Sequence, residues 1–495
     1  MCAIVRGMIQ PTRAPERTFL GQPRALANLF GLELWERFSF YGMQGILVLY
    51  LYFTAAEGGL GIDRATATSI AGAYGGTVYL STILGAWLAD RLLGRERVLF
   101  ASAWVVMAGH IALAVLPGLL GIGVGLVLVA LGSGGVKATA TSLVGTLYPD
   151  GDTRRDAGFS IFYMGINIGA LLGPLLTGWL QQSYGFHLGF GVAAVGMALG
   201  LIQYRLGRRR IRELGGGVDR PLPRQHRALY IAVAAAALSV LAVLVVTGVI
   251  TADRLSTVVV GLALTAAVAY FAIILGNRAL SRVERRRVLA FIPLFIASAA
   301  FWALFQQQFT VLPIYVDERL DRHILGGEMP IAWVNSINPI FVIVFAGVLA
   351  ALWTRLGPRQ PSAPLKFALG TIVMGAAFLL FIPLAGGGAN SVSLLPLVGI
   401  LFFFTLAELL LSPVGLSAAT TLAPAAFRTQ MVALFFLSVS LGSALAGTLA
   451  GSYSADNEVP YFGVIGAVAI ALGLVLAAIS RPIRHLMSTE DATGA

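Results

Sequence analysis

A chain of 495 residues with 57% hydrophobic and 12% charged side chains and a mean hydropathy of +0.83 is too apolar for a string of soluble domains. It reads as a polytopic membrane protein. The net charge of +11 does not imply nucleic acid, because no basic patch with interleaved aromatics accompanies it, and the single cysteine, Cys2, excludes an intrachain disulfide. Cys2 also lacks the apolar run that a secretory or lipoprotein signal needs, so the tail is expected to be retained, with Met8 an alternative start.

Apolar runs place spanning helices near 30–53, 66–89, 97–116, 119–147, 157–180, 187–206, 228–250, 255–276, 288–315, 331–353, 364–385, 391–422, 429–451 and 460–480. The runs are too long and continuous for the alternating segments of an outer-membrane barrel. An all-α integral membrane fold of about 14 helices follows.

The first span is the most informative. Glu33-Leu34-Trp35-Glu36-Arg37-Phe38-Ser39-Phe40-Tyr41 puts two carboxylates and a guanidinium inside the bilayer, where each charge costs roughly 2.5 to 3.5 kcal/mol. Glu33, Glu36, Arg37 and Tyr41 fall at i, i+3, i+4 and i+8, one stripe of a helix. Such a stripe reads as the wall of a polar cavity. In the fourth span Lys137 stands among Gly132, Ser133, Gly134, Gly135 and Ala138, small residues that let helices approach and leave room for its stem. A buried ammonium needs a partner, and the predicted one is an ion pair with Glu33 or Glu36; a permanent bridge locking two helices is the structural alternative. Near the end of the chain, Glu408 reads as the only carboxylate embedded in the last six spans, one turn before Ser412 and the Pro413 kink.

Between these groups lie two arginine-rich segments, Arg205 to Arg227 and Arg278 to Arg287, which bracket a central pair of spans. Gly215-Gly216-Gly217 and Pro221-Leu222-Pro223 mark the first as a flexible linker rather than a helix. If the amino terminus is cytoplasmic, every arginine-rich loop falls inside, and only Arg64, Arg254, Arg319 and Arg322 remain outside, as retention of positive charge requires. The expected divisions are a tail over 1–29, six helices over 30–206, linkers and two extra helices over 207–287, six helices over 288–480 and a tail over 481–495. Ala89-Asp90-Arg91-Leu92-Leu93-Gly94-Arg95 has a degraded counterpart in Trp353-Thr354-Arg355-Leu356-Gly357-Pro358-Arg359, a trace of duplication. Paired six-helix halves around a central site are the architecture of major facilitator transporters.

Five segments, in order, then resemble the proton-dependent oligopeptide transporter family, bacterial type with two extra central helices. They are Glu33-x-x-Glu36-Arg37-Phe38-x-Phe40-Tyr41, Gly85-Ala86-Trp87-Leu88-Ala89-Asp90-Arg91, Gly134-Gly135-Val136-Lys137, the run from Phe159 to Ala170, and the run from Ala407 to Ser417. The resemblance implies a proton-coupled symporter that imports di- and tripeptides by alternating access. It implies proton coupling through Glu33, Glu36, Arg37, Lys137 and Glu408. It implies substrate binding by Tyr41, Gln44, Tyr79, Lys137, Asn167, Trp302, Gln306, Asn338, Glu408 and Ser438, with Lys137 facing the peptide carboxylate and Glu408 its amino terminus. Asp90 and Arg91 would gate or brace the halves. Two positions depart from the family's pattern: Gln306 stands where many members carry a titrating glutamate, and Gln44 where some carry an arginine. Coupling should then fall on Glu33, Glu36 and Glu408, and carboxylate binding on Lys137.

A major facilitator carrier of another solute, a drug, nitrate or a sugar, is the alternative; a non-transporting receptor or a membrane enzyme is weaker still. His110, His187, His226, His323 and His485 are scattered, and there is no zinc-like or P-loop spacing, so neither metal, cofactor nor ATP-driven pumping is expected. Expected partners are small peptides, protons and the lipid bilayer, with one chain as the working unit. The usage of alanine, glycine and arginine suits a bacterial inner membrane with both termini cytoplasmic.

Overall fold

In a bilayer a backbone has no hydrogen-bond partner but itself, so each long apolar run closes its own bonds as a helix. The structure is a computed structural model that describes residues 18–149, 152–218, 221–324 and 326–487. Cys2, Met8, the tail arginines Arg6, Arg13 and Arg17, and the last eight residues lie outside the described residues. Fourteen helices of at least 17 residues occur among those described: α1 (Ala25–Tyr52), α2 (Arg64–Leu88), α3 (Arg95–Val115), α4 (Gly118–Gly145), α5 (Arg155–Tyr184), α6 (Phe186–Gly207), α7 (Arg224–Val246), α8 (Leu255–Gly276), α9 (Arg282–Phe305), α10 (Ile337–Leu356), α11 (Ala363–Leu379), α12 (Leu394–Thr421), α13 (Arg428–Ala450) and α14 (Glu458–Ala478). Among the described residues, length and composition alone qualify 12 segments as membrane spans; α1 and α2, though as long, are not among them. Strands among the described residues are confined to two short hairpins and one isolated bridge.

The packing repeats itself. In the first six helices α1 packs on α5, α3 on α4 and α6, and α2 on α4; in the last six α9 packs on α13, α11 on α12 and α14, and α10 on α12. Across the middle the second helix of each set meets the fifth of the other, α2 on α13 and α10 on α5. The α2–α13 crossing is close because Gly72 and Gly447 face each other there, where a Cβ on either would overlap the other's backbone. Ser440 Oγ donates to the Gly76 carbonyl at 2.7 Å in the same seam. Helix α8 lies against both α2 and α13, whereas α7 buries no described residue and touches the bundle through Tyr230 and Trp87, 5.2 Å apart.

Two expectations from the sequence need correction. The span predicted over 288–315 is broken: α9 ends at Phe305, Gln306–Phe309 form a 3₁₀ turn, and a separate helix runs over Val311–Arg319. Pro313 is the physical reason, since it has no N–H for the Phe309 carbonyl four residues back. Likewise the predicted linker is not free. Arg209–Gly215 form a short helix whose Ile211 is buried, and the Leu222 N–H donates to the Arg91 carbonyl at 2.9 Å. Arg208 fixes this segment to α3: its guanidinium pairs with the buried Glu96 at 2.8 Å and lies 3.8 Å from the Phe100 ring centroid.

The end of the bundle opposite the termini is tied together by charge. Arg64 pairs with Glu318, Arg319 with Glu458 at 2.9 Å, Arg322 with Glu328 at 2.5 Å, and Arg254 with Asp253 at 3.7 Å. Each arginine predicted to lie outside therefore has a carboxylate beside it. Glu458 is buried and also accepts from Tyr453 and the Gly386 N–H. Arg319→Ala strands that carboxylate, and the expected cost is about 3 to 5 kcal/mol of stability. Thermal unfolding in detergent checks this, and Glu458→Gln added to Arg319→Ala should recover most of the loss.

Candidate functional site

A cavity of about 1190 Å³ lies between the two sets of six helices. It runs from Gln44, Gln306 and Asn335 to Arg155, Asp156, Trp353 and Thr420, which stand at the helix ends nearest the chain termini. At the far end the halves are joined instead: Tyr52 donates to Asp317 at 2.6 Å, Trp333 Nε1 to the Leu175 carbonyl at 2.9 Å and Ser336 Oγ to the Leu171 carbonyl at 2.8 Å. The cavity thus opens toward one face only.

On the α1 wall, Arg37 gathers both first-helix carboxylates. Its Nε is 2.9 Å from Glu33 Oε1 and its Nη2 2.7 Å from Glu36 Oε2, with Arg37 only 2% exposed. Ser133 of α4 donates to Glu36 Oε1 at 2.8 Å. Glu33 and Arg37 line the cavity, while Glu36 sits behind them. The predicted Lys137 pair with Glu33 or Glu36 is not formed: among the described residues no carboxylate comes within 4.0 Å of its ammonium. Lys137 Nζ instead lies 5.0 Å from the centroids of both Phe40 and Tyr79, over their electron-rich faces. The reason is competition for the carboxylates, because Arg37 is on their own helix at i+4 and i+1 and makes two contacts with its fork.

The opposite wall carries Glu408. Asn338 Nδ2 donates to Glu408 Oε2 at 3.1 Å and to Thr405 Oγ1 at 3.0 Å, which fixes the carboxylate with one oxygen toward the cavity. Glu408 is half-buried within its span, whereas Glu458, the first residue of α14, is fully buried and is neutralised by Arg319 at the far end. Sequence spacing could not separate them, because burial of a helix terminus depends on the loops that cover it.

The other predicted residues divide. Tyr41, Gln44, Tyr79, Asn167, Trp302, Gln306 and Asn338 all line the cavity. Tyr41 stacks on Phe309 at 6.0 Å, Tyr79 on Phe436 at 6.5 Å, and Asn167 donates back to the Tyr163 carbonyl at 2.9 Å. Gln306 donates to Ser443 at 2.8 Å. Ser438 does not reach the cavity: its hydroxyl lies 2.7 Å from that of Ser298 and donates to the Phe435 carbonyl, so it joins α9 to α13. Asp90 and Arg91 lie apart as well, in a widened turn over Ala89–Leu93, beside a second cleft of about 910 Å³ that α8 helps to wall. Sequence reasoning missed Asn335, Tyr163, Trp353, Phe309 and Phe436 as lining residues. Only Asn335 had a readable signal, its i, i+3 spacing from Asn338.

Chemically the arrangement offers an ammonium on one half and a carboxylate on the other, across a space large enough for a small zwitterion. The POT family profile matches residues 96–468. A transporter of Bacillus subtilis (strain 168) described as uncharacterized, YclF, is 44% identical over 476 residues, covering 96% of each chain. The di-/tripeptide transporter of Lactococcus lactis subsp. cremoris is 38% identical over 497 residues, 97% of this chain and 99% of that one. A crystal structure of a POT peptide transporter in complex with sulfate matches with a TM-score of 0.91 and 45% identity, covering 96% of this chain and 98% of the other.

Proposed function

The chain belongs to the POT family of membrane transporters, and from that premise we propose that it imports di- and tripeptides with protons by alternating access. The observation that carries this reading is the pair of opposite charges, Lys137 on α4 and Glu408 on α12, facing one cavity from the two halves. Lys137 receives the peptide carboxylate and Glu408 its amino terminus, while Tyr41, Tyr79, Asn167, Trp302 and Asn338 surround the backbone.

Coupling resides in the first-helix cluster. With Glu33, Glu36, Arg37 and Lys137 all ionised the charges cancel, and a proton on either carboxylate leaves one positive charge uncompensated. That charge favours an incoming peptide carboxylate, so proton and peptide support each other's binding. Each elementary charge carried inward gains about 2.3 kcal/mol per 100 mV of membrane potential. Gln306 takes no part in the protonation, since it is an amide already bonded to Ser443.

The protein sits in a bacterial cytoplasmic membrane with both termini cytoplasmic and works as a single chain. Its units are the six-helix halves, 30–206 and 288–480, with the central pair and its linkers between them. In that orientation the cavity faces the cytoplasm, and the Tyr52–Asp317 and Arg64–Glu318 contacts hold the outer side shut. Asp90 and Arg91, at the cytoplasmic end of α2, brace the halves as they rock.

Uptake of a labelled dipeptide into proteoliposomes with an imposed proton gradient and inside-negative potential tests the proposal. Accumulation above equilibrium that an uncoupler abolishes supports symport. Simple equilibration, or movement of a different solute instead, overturns the coupling or the cargo respectively.

A further inference from the structure

The cavity's closed end has a chemistry of its own. Seven residues beyond Arg37 on α1, about 10 Å along the helix axis, Gln44 lines the wall. It is 4% exposed and its Oε1 has no hydrogen-bond partner. Asn335, 7% exposed, lines the same cavity, and its Oδ1 also lacks a partner. The two belong together: Asn335 Nδ2 is 3.4 Å from where a Cβ on Gly45, the next residue after Gln44, would stand. Pro174 of α5 borders the same point, its Cβ 3.5 Å from it. Having no N–H, Pro174 leaves the carbonyl of Ala170, another lining residue, without its helical donor.

A buried amide without a partner is costly in a folded chain, and where it lines a cavity a bound molecule can complete it. These are held firmly. Asn335 lies in the turn Ile331–Ser336, and on either side of it Trp333 and Ser336 are bonded to backbone carbonyls of α5. Gln44 is fixed on a helix whose neighbouring residues are buried. Three oxygens, Gln44 Oε1, Asn335 Oδ1 and the Ala170 carbonyl, thus stand without a donor on residues that line one cavity. A carboxylate could accept from the amide N–H₂ groups only, and would leave the Ala170 carbonyl unmet. An apolar side chain would leave the acceptors unmet, and an ammonium would lose its water to neutral groups.

We propose that Gln44 and Asn335 form a side-chain subsite that selects peptides bearing a neutral hydrogen-bond donor, a carboxamide above all. The inference rests on the reading of this cavity as a peptide site. A glutamine side chain can donate two hydrogens to the acceptors and accept from an amide N–H₂ in return, which methionine of similar length cannot.

Competition against labelled Ala-Ala uptake tests it, using Ala-X and X-Ala with X as Gln, Met or Glu, on wild type, Gln44→Met and Asn335→Leu. For wild type, the Gln peptide should compete about tenfold better than the Met peptide in at least one of the two positions, with the Glu peptide weakest. That ratio should fall close to one in both variants, whatever happens to their overall rate, because it compares two competitors on the same protein. Equal competition by Gln and Met peptides in wild type overturns the subsite, as does a ratio that both variants preserve. If Ala-Ala is transported but the preference is absent, only the subsite falls. If no dipeptide is transported or bound, the peptide reading falls and takes the subsite with it.

Discussion

Lys137→Ala is expected to abolish uphill accumulation of a labelled dipeptide and to weaken its binding about 100-fold, some 2.7 kcal/mol. The argument is electrostatic. Lys137 is the cation of the α1–α4 cluster that Arg37 leaves without a carboxylate, resting over Phe40 and Tyr79 beside the cavity. Its removal turns a balanced set of charges into one with a net negative charge, which repels the peptide's carboxylate in a site of low dielectric. Glu36→Gln changes the same balance in the other direction. The cluster then carries a permanent positive charge, so peptide binding and counterflow exchange should survive while accumulation driven by a proton gradient is lost. Measuring both exchange and gradient-driven uptake for the two variants separates binding from coupling. Accumulation against a gradient by Lys137→Ala would sink the proposed role. If Glu36→Gln accumulates peptide as wild type does, coupling must be sought elsewhere.

Glu408→Gln should lower affinity for peptides with a free amino terminus by about 100-fold, while affinity for N-acetylated peptides stays the same. A hydrogen bond between a carboxylate and an ammonium in a partly dry site is worth about 1.5 to 3 kcal/mol, and the amide forfeits the charge that provides most of it. The substitution keeps the shape and an oxygen to accept from Asn338 Nδ2, so the α10–α12 contact is expected to persist. Isothermal titration with Ala-Ala and N-acetyl-Ala-Ala, with thermal stability as the control for folding, reads the difference directly. Equal losses for both peptides would mean that Glu408 supports the cavity wall instead of holding the amino terminus.

The helices and the polar stripe were legible because a bilayer imposes one-dimensional rules. A run of apolar residues must close its own hydrogen bonds, and a charge within it must face something polar, so Glu33, Arg37, Lys137 and Glu408 stood out from their neighbours before any packing was known. The break at Gln306–Phe309 was harder to see, since hydropathy does not register a proline that interrupts a helix within a continuous apolar run. The docking of Arg209–Gly215 was hidden for a related reason. A glycine-rich, arginine-rich segment reads as linker until Glu96 and Phe100 of α3 are in place to receive Arg208.

What the chain determined by itself was which groups are costly to bury and where along each helix they lie. Partnership was decided only in three dimensions. Arg37 and Lys137 are both cations in reach of the first-helix carboxylates, and composition cannot say which of them wins; the fork of Arg37, set on the same helix, takes both and leaves Lys137 to the cavity. Ser438 and Asn335 were sorted in the same way, one into a helix seam and the other onto the cavity wall, because a small polar side chain serves whatever its neighbour's geometry offers, and that geometry comes from helices distant in sequence.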